Sequence, residues 1–275
     1  MNAVATTPTF SPELARFGAT ARARMSATRT VRAYLVEAKL EFVRAMRAPI
    51  FVVPFLLLPV LLYMLFGIVM SGASGGAPRG VANAFFAGFA TFAVIGPALF
   101  SVGCGIAIER DQGLLRLKRA LPAPPGSYLV GKVLMQLAFA ALATGLLATA
   151  ALLGANLTLP AGQVWTLVGV LVIGTIPFCA MGLFIGTHVS GVAAPGITHL
   201  IYFPMLYLSG LFFPLPKVLA RWAPVWPTFH LNRLALAAAG GIHLTAAQVW
   251  ISVTTLIAIT ALCGTRALLK LARRG

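Results

Sequence analysis

Residues 50–70 read IFVVPFLLLPVLLYMLFGIVM, twenty-one consecutive positions without a charge. As a helix, such a run covers about 30 Å, the thickness of the hydrocarbon layer of a bilayer. Comparable runs occupy roughly 83–107, 128–153, 164–187, 196–213 and 246–268, so the sequence predicts six spans. The fifth is the shortest and carries Pro204. Charged residues make up 9% of the chain, against about 25% in soluble domains. With so few charges the chain has no wet surface of ordinary size, and lipid is its main solvent. Lipid offers no hydrogen bonds, so each crossing segment has to satisfy its own backbone, as a helix does. The expected fold is an all-α membrane protein.

Charge then sets the orientation. Lys and Arg number 21 against five acids, Glu13, Glu37, Glu41, Glu109 and Asp111, for a net charge of +16. On a soluble chain this excess points to nucleic acid. Here the bases sort by loop instead, and no nucleic-acid partner is expected. With the N-terminus inside, 17 bases fall in inner segments and four, Arg79, Lys217, Arg221 and Arg233, in outer ones. Basic loops stay inside, so both termini are expected to be cytoplasmic, in a cytoplasmic (inner) membrane of bacterial type. The N-terminal stretch has no apolar core of the signal-peptide kind, and no cleaved leader is expected. Cys104, Cys179 and Cys263 lie in apolar runs without metal-ligand spacing and read as core residues.

Residues 1–27, rich in Ala, Thr, Ser and Pro, are expected to be loose. Residues 28–49 read as a basic amphipathic helix suited to the headgroup layer. Val31, Leu35, Ala38, Phe42 and Met46 share its apolar stripe, and Pro49 ends it. The transmembrane domain covers 50–275. After the second span comes IERDQGLLRLKRALPAPPGS, with acids first and bases later, the order a helix dipole favours. Leu114, Leu117 and Leu121 form a stripe, and Pro122, Pro124 and Pro125 close it. A short cytoplasmic helix at about 109–121 is predicted. The 214–245 loop is too apolar for free water and carries Trp222, Trp226 and Phe229 among four prolines. Two short helices dipping into the outer leaflet are expected there, the second ending at Gly240-Gly241.

Gly126-x-x-x-x-Gly131-Lys132 looks like most of a phosphate-binding loop. Val133 stands where Ser or Thr would hold magnesium, and the intervening residues are bulky. No nucleotide site, cofactor, metal site or catalytic residue is therefore expected in this chain, and Lys132 is expected to snorkel to headgroups. Gly72-x-Ser74-x-Gly76 matches a nucleophile elbow but sits in a glycine-rich loop. An intramembrane enzyme would have to use Ser74, Ser209, His188 or His199, none in a supporting motif. His230 and His243 are expected at the interface. The acids all fall in segments read as cytoplasmic, so the spans hold no ion-coupling carboxylate. If the chain moves a cargo, the energy is expected to enter through a partner docked on the cytoplasmic face, and the 109–121 helix is the natural docking place.

Two segments carry a resemblance. GIAIERDQGLLRLKRALPAPPGSYLVGKVL, residues 105–134, and LIYFPMLYLSGLFFPLPKVLARWAPVWPTFHL, residues 200–231, resemble the membrane subunit of an ABC-2 type exporter. That is the family of daunorubicin-resistance and nodulation lipo-oligosaccharide permeases, and the likeness runs from about residue 28 onward. It implies two such chains paired with two ATPase subunits, which bind the ATP and Mg. It makes the loop after the second span a coupling helix seated in the ATPase, a role that falls on Glu109, Arg110, Asp111, Gly113, Leu114, Leu117 and Leu121. It also implies export of an amphiphilic drug, lipid or lipo-oligosaccharide along the dimer interface, with polysaccharide as the alternative cargo. Tyr202, Phe203, Tyr207, Phe212 and Phe213 are the candidate lining of that path. Gly182-x-x-x-Gly186 has the spacing for close helix contact, between copies or within one.

Overall fold

Every regular element among the described residues is helical. The computed structural model describes residues 27–70, 79–120, 124, 126–154, 159–212 and 215–273. Among the described residues, five helices are long and apolar enough to cross a membrane. Helix α1, Ala27–Met46, precedes them, and Pro49 opens α2, Pro49–Val69. Proline at the first turn is tolerated because that N–H has no helical partner. Pro54 and Pro59 lie deeper, where a ring collides with the carbonyl four residues back. The chain answers with a wider turn over Val53–Leu57, in which the Leu58 N–H reaches back to Val53 O.

Helix α3, Arg79–Asp111, is the centre of the bundle and the most buried of the five. Phe86, Ile95, Leu99 and Ile106 are wholly inside. Gly113, at φ +75°, turns the chain into the short α4, Leu114–Ala120. Helix α5 follows over Ser127–Gly154. The fourth apolar run is split into α6, Ala161–Gly174, and α7, Ile176–His188. Pro177 has no backbone N–H to carry the helix through, and just before it the Thr175 hydroxyl donates to Leu171 O at 2.8 Å. Helix α7 then packs on α3 through glycines. An ideal Cβ on Gly182 would lie 2.9 Å from Leu99 O, and one on Gly186 would lie 2.6 Å from Gly103 O. The Gly182-x-x-x-Gly186 spacing is therefore used within one chain.

The predicted fifth span, 196–213, differs. Its helix α8, Ala194–Leu208, starts earlier and ends sooner. Gly210 takes φ +71°, a left-handed value that stops it. At 15 residues it is shorter than a membrane-crossing helix. Its segment nevertheless runs antiparallel along α3. Gly191 sits against Ile108, the His199 and Phe100 rings lie 4.6 Å apart, and Leu211 O lies 2.9 Å from an ideal Cβ on Gly88. Residues 88 to 108 of a helix cover about 30 Å.

Beyond α8 come α9, Lys217–Ala220, a tight turn at Ala223–Val225, and α10, Pro227–Ala238. Helix α10 is wedged against α3, α6 and the last helix, α11, Ala246–Arg273. Leu231 fills the space left by Gly174. The predicted glycine stop is present: Gly240 takes φ +67°, its N–H bonds Ala237 O, and the Gly241 N–H bonds Leu236 O. His230, expected at the interface, is buried instead. Its ring lies 3.3 Å from Ser252 Oγ and 2.9 Å from Pro224 O, so it ties α10 to α11.

Candidate functional site

Four acids occur among the described residues, and all four lie at one end of the bundle, where the ends of α1, α3, α4 and α5 meet. Helix α1 lies across α5 at Gly131. An ideal Cβ there would fall 2.6 Å from Glu37 Cγ, so only glycine lets the two helices approach this closely. One residue on, Lys132 is buried. Its ammonium donates to Glu41 at 3.1 Å and to Glu109 at 3.3 Å. The expectation that Lys132 snorkels to headgroups is thereby overturned, because two buried carboxylates hold it inside. Gly131 and Lys132 belong to a continuous helix, so the resemblance to a phosphate-binding loop is one of spacing alone.

The cluster extends from there. Lys118 on α4 donates to Glu37 at 2.7 Å and to Glu41 at 3.1 Å. Arg44 on α1 donates to Glu109 at 2.6 Å. The Tyr128 hydroxyl donates to the other Glu109 oxygen. Lys118 and Lys132 also lie 4.3 and 5.0 Å from the Tyr128 ring centre, within cation–π range. Three carboxylates thus face three cations, and the set is neutral. Neutrality matters because an unpaired charge under this much protein is strongly unfavourable. Burial works against the Lys118 ammonium, but the hydrogen bond to Glu37 and the charge of Glu41 outweigh it, and its pKa sits above the ordinary lysine value. The hydrogen bond to Glu109 likewise raises Arg44.

The residues chosen from sequence divide into two groups. Glu109, expected as part of a coupling helix seated in the partner, is turned inward and is 2% exposed. Arg110 caps α7, donating to Gly186 O, Thr187 O and Val189 O at 3.1, 3.0 and 2.8 Å. Asp111 accepts from the Gly191 N–H at 2.6 Å and pairs with Arg110. These two residues clamp the α7–α8 turn to the end of α3. Gly113 forms the turn, Leu114 is half-buried, and Leu117 stands out at 66% exposure. Leu121 lies outside the described residues. Sequence reasoning missed Glu37, Glu41, Arg44, Lys118, Tyr128 and Lys132 as one unit. The available signal was the Glu37–Glu41 pair, one helical turn apart in an otherwise basic helix.

A groove of about 750 Å³ opens beside the cluster, between α2, α3 and α8. Glu41, Arg44, Glu109 and Lys132 line one end; Phe55, Phe100, Tyr202 and Phe203 line its length. Of the aromatics named from sequence, Tyr202 and Phe203 thus meet here. Tyr207 is exposed away from the groove, and Phe212 packs on Phe89 and Phe92. Phe213 lies outside the described residues. The serine and histidines considered for an intramembrane enzyme bond to their own helices: Ser209 to Leu206 O, His188 to Phe184 O and His199 to Pro195 O. Ser74 lies outside the described residues.

A relative in Bacillus subtilis (strain 168), bearing the name "Putative transport permease YvfS", is 23% identical over 196 residues, covering 70% of this chain and 79% of its own. The profile of the ABC-2 type transporter family matches residues 32–240, which include most of the basic helix, the whole charged cluster, the groove and α10. The chain is a multi-pass membrane subunit of a transporter, and it belongs to the ABC-2 type transporter family.

Proposed function

We propose that this chain is the permease half of an ATP-driven exporter, working as a pair of copies with two ATPase subunits that bind ATP and Mg. The observation that carries the reading is the setting of α4. Leu117 projects from it at 66% exposure, while the next residue, Lys118, is bonded to Glu37 and Glu41. An apolar anchor for a partner thus sits directly on the ion-pair cluster that joins α1, α3 and α5. Movement of a docked ATPase would pass through Lys118 to Glu41, through Lys132 to Glu109, and so into the walls of the groove. Glu109, Arg110 and Asp111 act in this scheme as internal fasteners, while Gly113, Leu114 and Leu117 form the docking side.

The charged end is then cytoplasmic, as the distribution of Lys and Arg favours. Helix α8 with residues 209–212 makes the sixth crossing, placing both termini on that side of the inner membrane, and α10 is a re-entrant helix of the outer leaflet. The groove's apolar and aromatic walls favour an amphiphilic cargo, a drug, lipid or lipo-oligosaccharide.

The test is a mild-detergent pull-down of the tagged protein from native membranes. A P-loop ATPase in stoichiometric amount is the expected companion. Leu117→Asp should leave the protein inserted and paired but reduce ATPase recovery and transport by about tenfold or more, as loss of a buried interface anchor does. Normal recovery and transport by that variant would refute the docking assignment.

A further inference from the structure

The groove beside the cluster is charged at one end and apolar along the rest, with two carboxylates, Glu41 and Glu109, and two cations, Arg44 and Lys132, at the charged end. Every carboxylate among the described residues is already paired. Glu37 holds Lys118, Glu41 holds Lys118 and Lys132, Glu109 holds Arg44 and Lys132, and Asp111 holds Arg110. The cations are not equally used. Lys132 is buried between two carboxylates, and Lys118 is two-thirds covered. Arg44 is the exception: its side chain is 64% exposed although Glu109, its partner, is 3% exposed. Glu109 also divides its charge among Arg44, Lys132 and Tyr128. A guanidinium has five N–H donors in a fork suited to phosphate or carboxylate. One donation, to Glu109, is what Arg44 makes among the described residues.

Arg44 therefore lies at the groove's charged end as the cation most open to a further partner, with N–H donors that Glu109 does not use. From Glu109 to Phe92 the lining follows α3 for about 25 Å, deep enough for an acyl chain. A cationic headgroup entering here meets Arg44 and finds no carboxylate without a partner.

We propose that the groove takes an amphiphile with an anionic headgroup, phosphate or carboxylate, which docks on Arg44 while its chain lies along Phe55, Phe100 and Phe203. This rests on the reading of the groove as the cargo path, and it selects among the amphiphiles named above by the sign of their charge.

The experiment uses the full chain in dodecyl maltoside, with binding followed by native mass spectrometry. The probes are dodecyl phosphate, dodecyltrimethylammonium and inorganic phosphate. Dodecyl phosphate should bind saturably, the cationic probe about tenfold or more weakly, and inorganic phosphate not at all, since it gains nothing from the groove. Arg44→Gln should weaken dodecyl phosphate by about tenfold while Arg44→Lys keeps most of the affinity. Phe203→Ala, which removes no member of the ion pairs, should weaken it as well and decides the matter if Arg44→Gln does not fold. Equal binding of the cationic probe, or unchanged binding to Arg44→Gln or Phe203→Ala, would overturn the proposal. So would binding of inorganic phosphate as tight as that of the amphiphile. Failure of both amphiphiles to bind, with Leu58→Cys cross-linking to a second copy, would assign the groove to the dimer contact and overturn it too. The assay involves the permease alone, so its failure leaves the ATPase-docking reading intact. Loss of docking in the pull-down would in turn leave the headgroup preference measurable.

Discussion

The contact of α3 with α7 and the junction of α1, α4 and α5 hold helices together by opposite means. In the first, side chains are removed. Gly103, Gly182, Gly186 and Gly191 bring backbone against backbone or against Ile106 and Ile108, at distances a single methyl would close. In the second, charges are added, and each lysine serves two carboxylates. Backbone packing of the first kind has one good arrangement. Ion pairs with shared partners can shift their weight from one carboxylate to another at little loss. The expectation is a glycine seam that stays fixed and a junction that shifts as a linked set. Arg110 marks the border: it lies next to Glu109 in sequence but spends its donors on the carbonyls of the α7 end.

The largest effect is expected where the junction is deepest. Lys132→Met leaves Glu41 and Glu109 buried with one cation fewer, and breaking a buried pair from one side costs about 3–5 kcal/mol. The thermal unfolding midpoint in detergent should fall further for this variant than for any other discussed here. Adding Glu109→Gln should recover part of the loss, because a neutral amide in that place demands less compensation. A Lys132→Met protein as stable as the parent would mean that the cluster is not a buried neutral unit.

The seam is tested by the smallest possible addition. Gly186→Ala places a Cβ against Gly103 O, a backbone atom that cannot swing away. Overpacking of this kind costs about 1–3 kcal/mol. Gly145→Ala is the control, since a Cβ there meets nothing within 4 Å and alanine is the better helix former. The same midpoint measurement should move down for the first and level or up for the second. Equal behaviour of the two would remove the contrast between a fixed seam and an ordinary helix contact.

Much of the fold was legible because it depends on local quantities. Apolar length located five spans to within a few residues, as 50–70 against Pro49–Val69 and 246–268 against Ala246–Arg273 show. Pro49 and Gly240 marked boundaries because each has a backbone preference of its own. The 196–213 run was misjudged in length because Gly210 stops the helix inside a segment that hydropathy alone would continue. The site was less legible for a different reason. Glu41 and Lys132 are 91 positions apart, and Arg44 and Glu109 are 65 apart. No periodicity links such pairs. What the sequence did offer was scarcity: with five acids in 275 residues, each one inside or beside an apolar run needed a reason. Scarcity signals that an acid has a role without naming the residue it pairs with.

The smallest expected change in stability separates the two regions most cleanly. Lys118 is one-third exposed, and Glu37 is partly open to solvent, so losing their bond resembles losing a surface pair, within about 1 kcal/mol. Glu41 keeps Lys132 when Lys118 is gone. Lys118→Met should therefore unfold close to the parent midpoint. It should still cut the link between α4 and the rest of the cluster, since Lys118 makes the described ion pairs of that helix. Residues along a coupling network change it by about 0.5–2 kcal/mol, roughly two- to thirtyfold. In vesicles holding permease and ATPase together, transport per ATP hydrolysed should drop within that range while ATP hydrolysis and ATPase binding persist. A variant that loses stability as Lys132→Met does would show that the junction is one rigid block, and the contrast with the glycine seam would fail. A variant unchanged in both stability and coupling would show that motion reaches the groove by way of α3 directly, through the turn at Gly113.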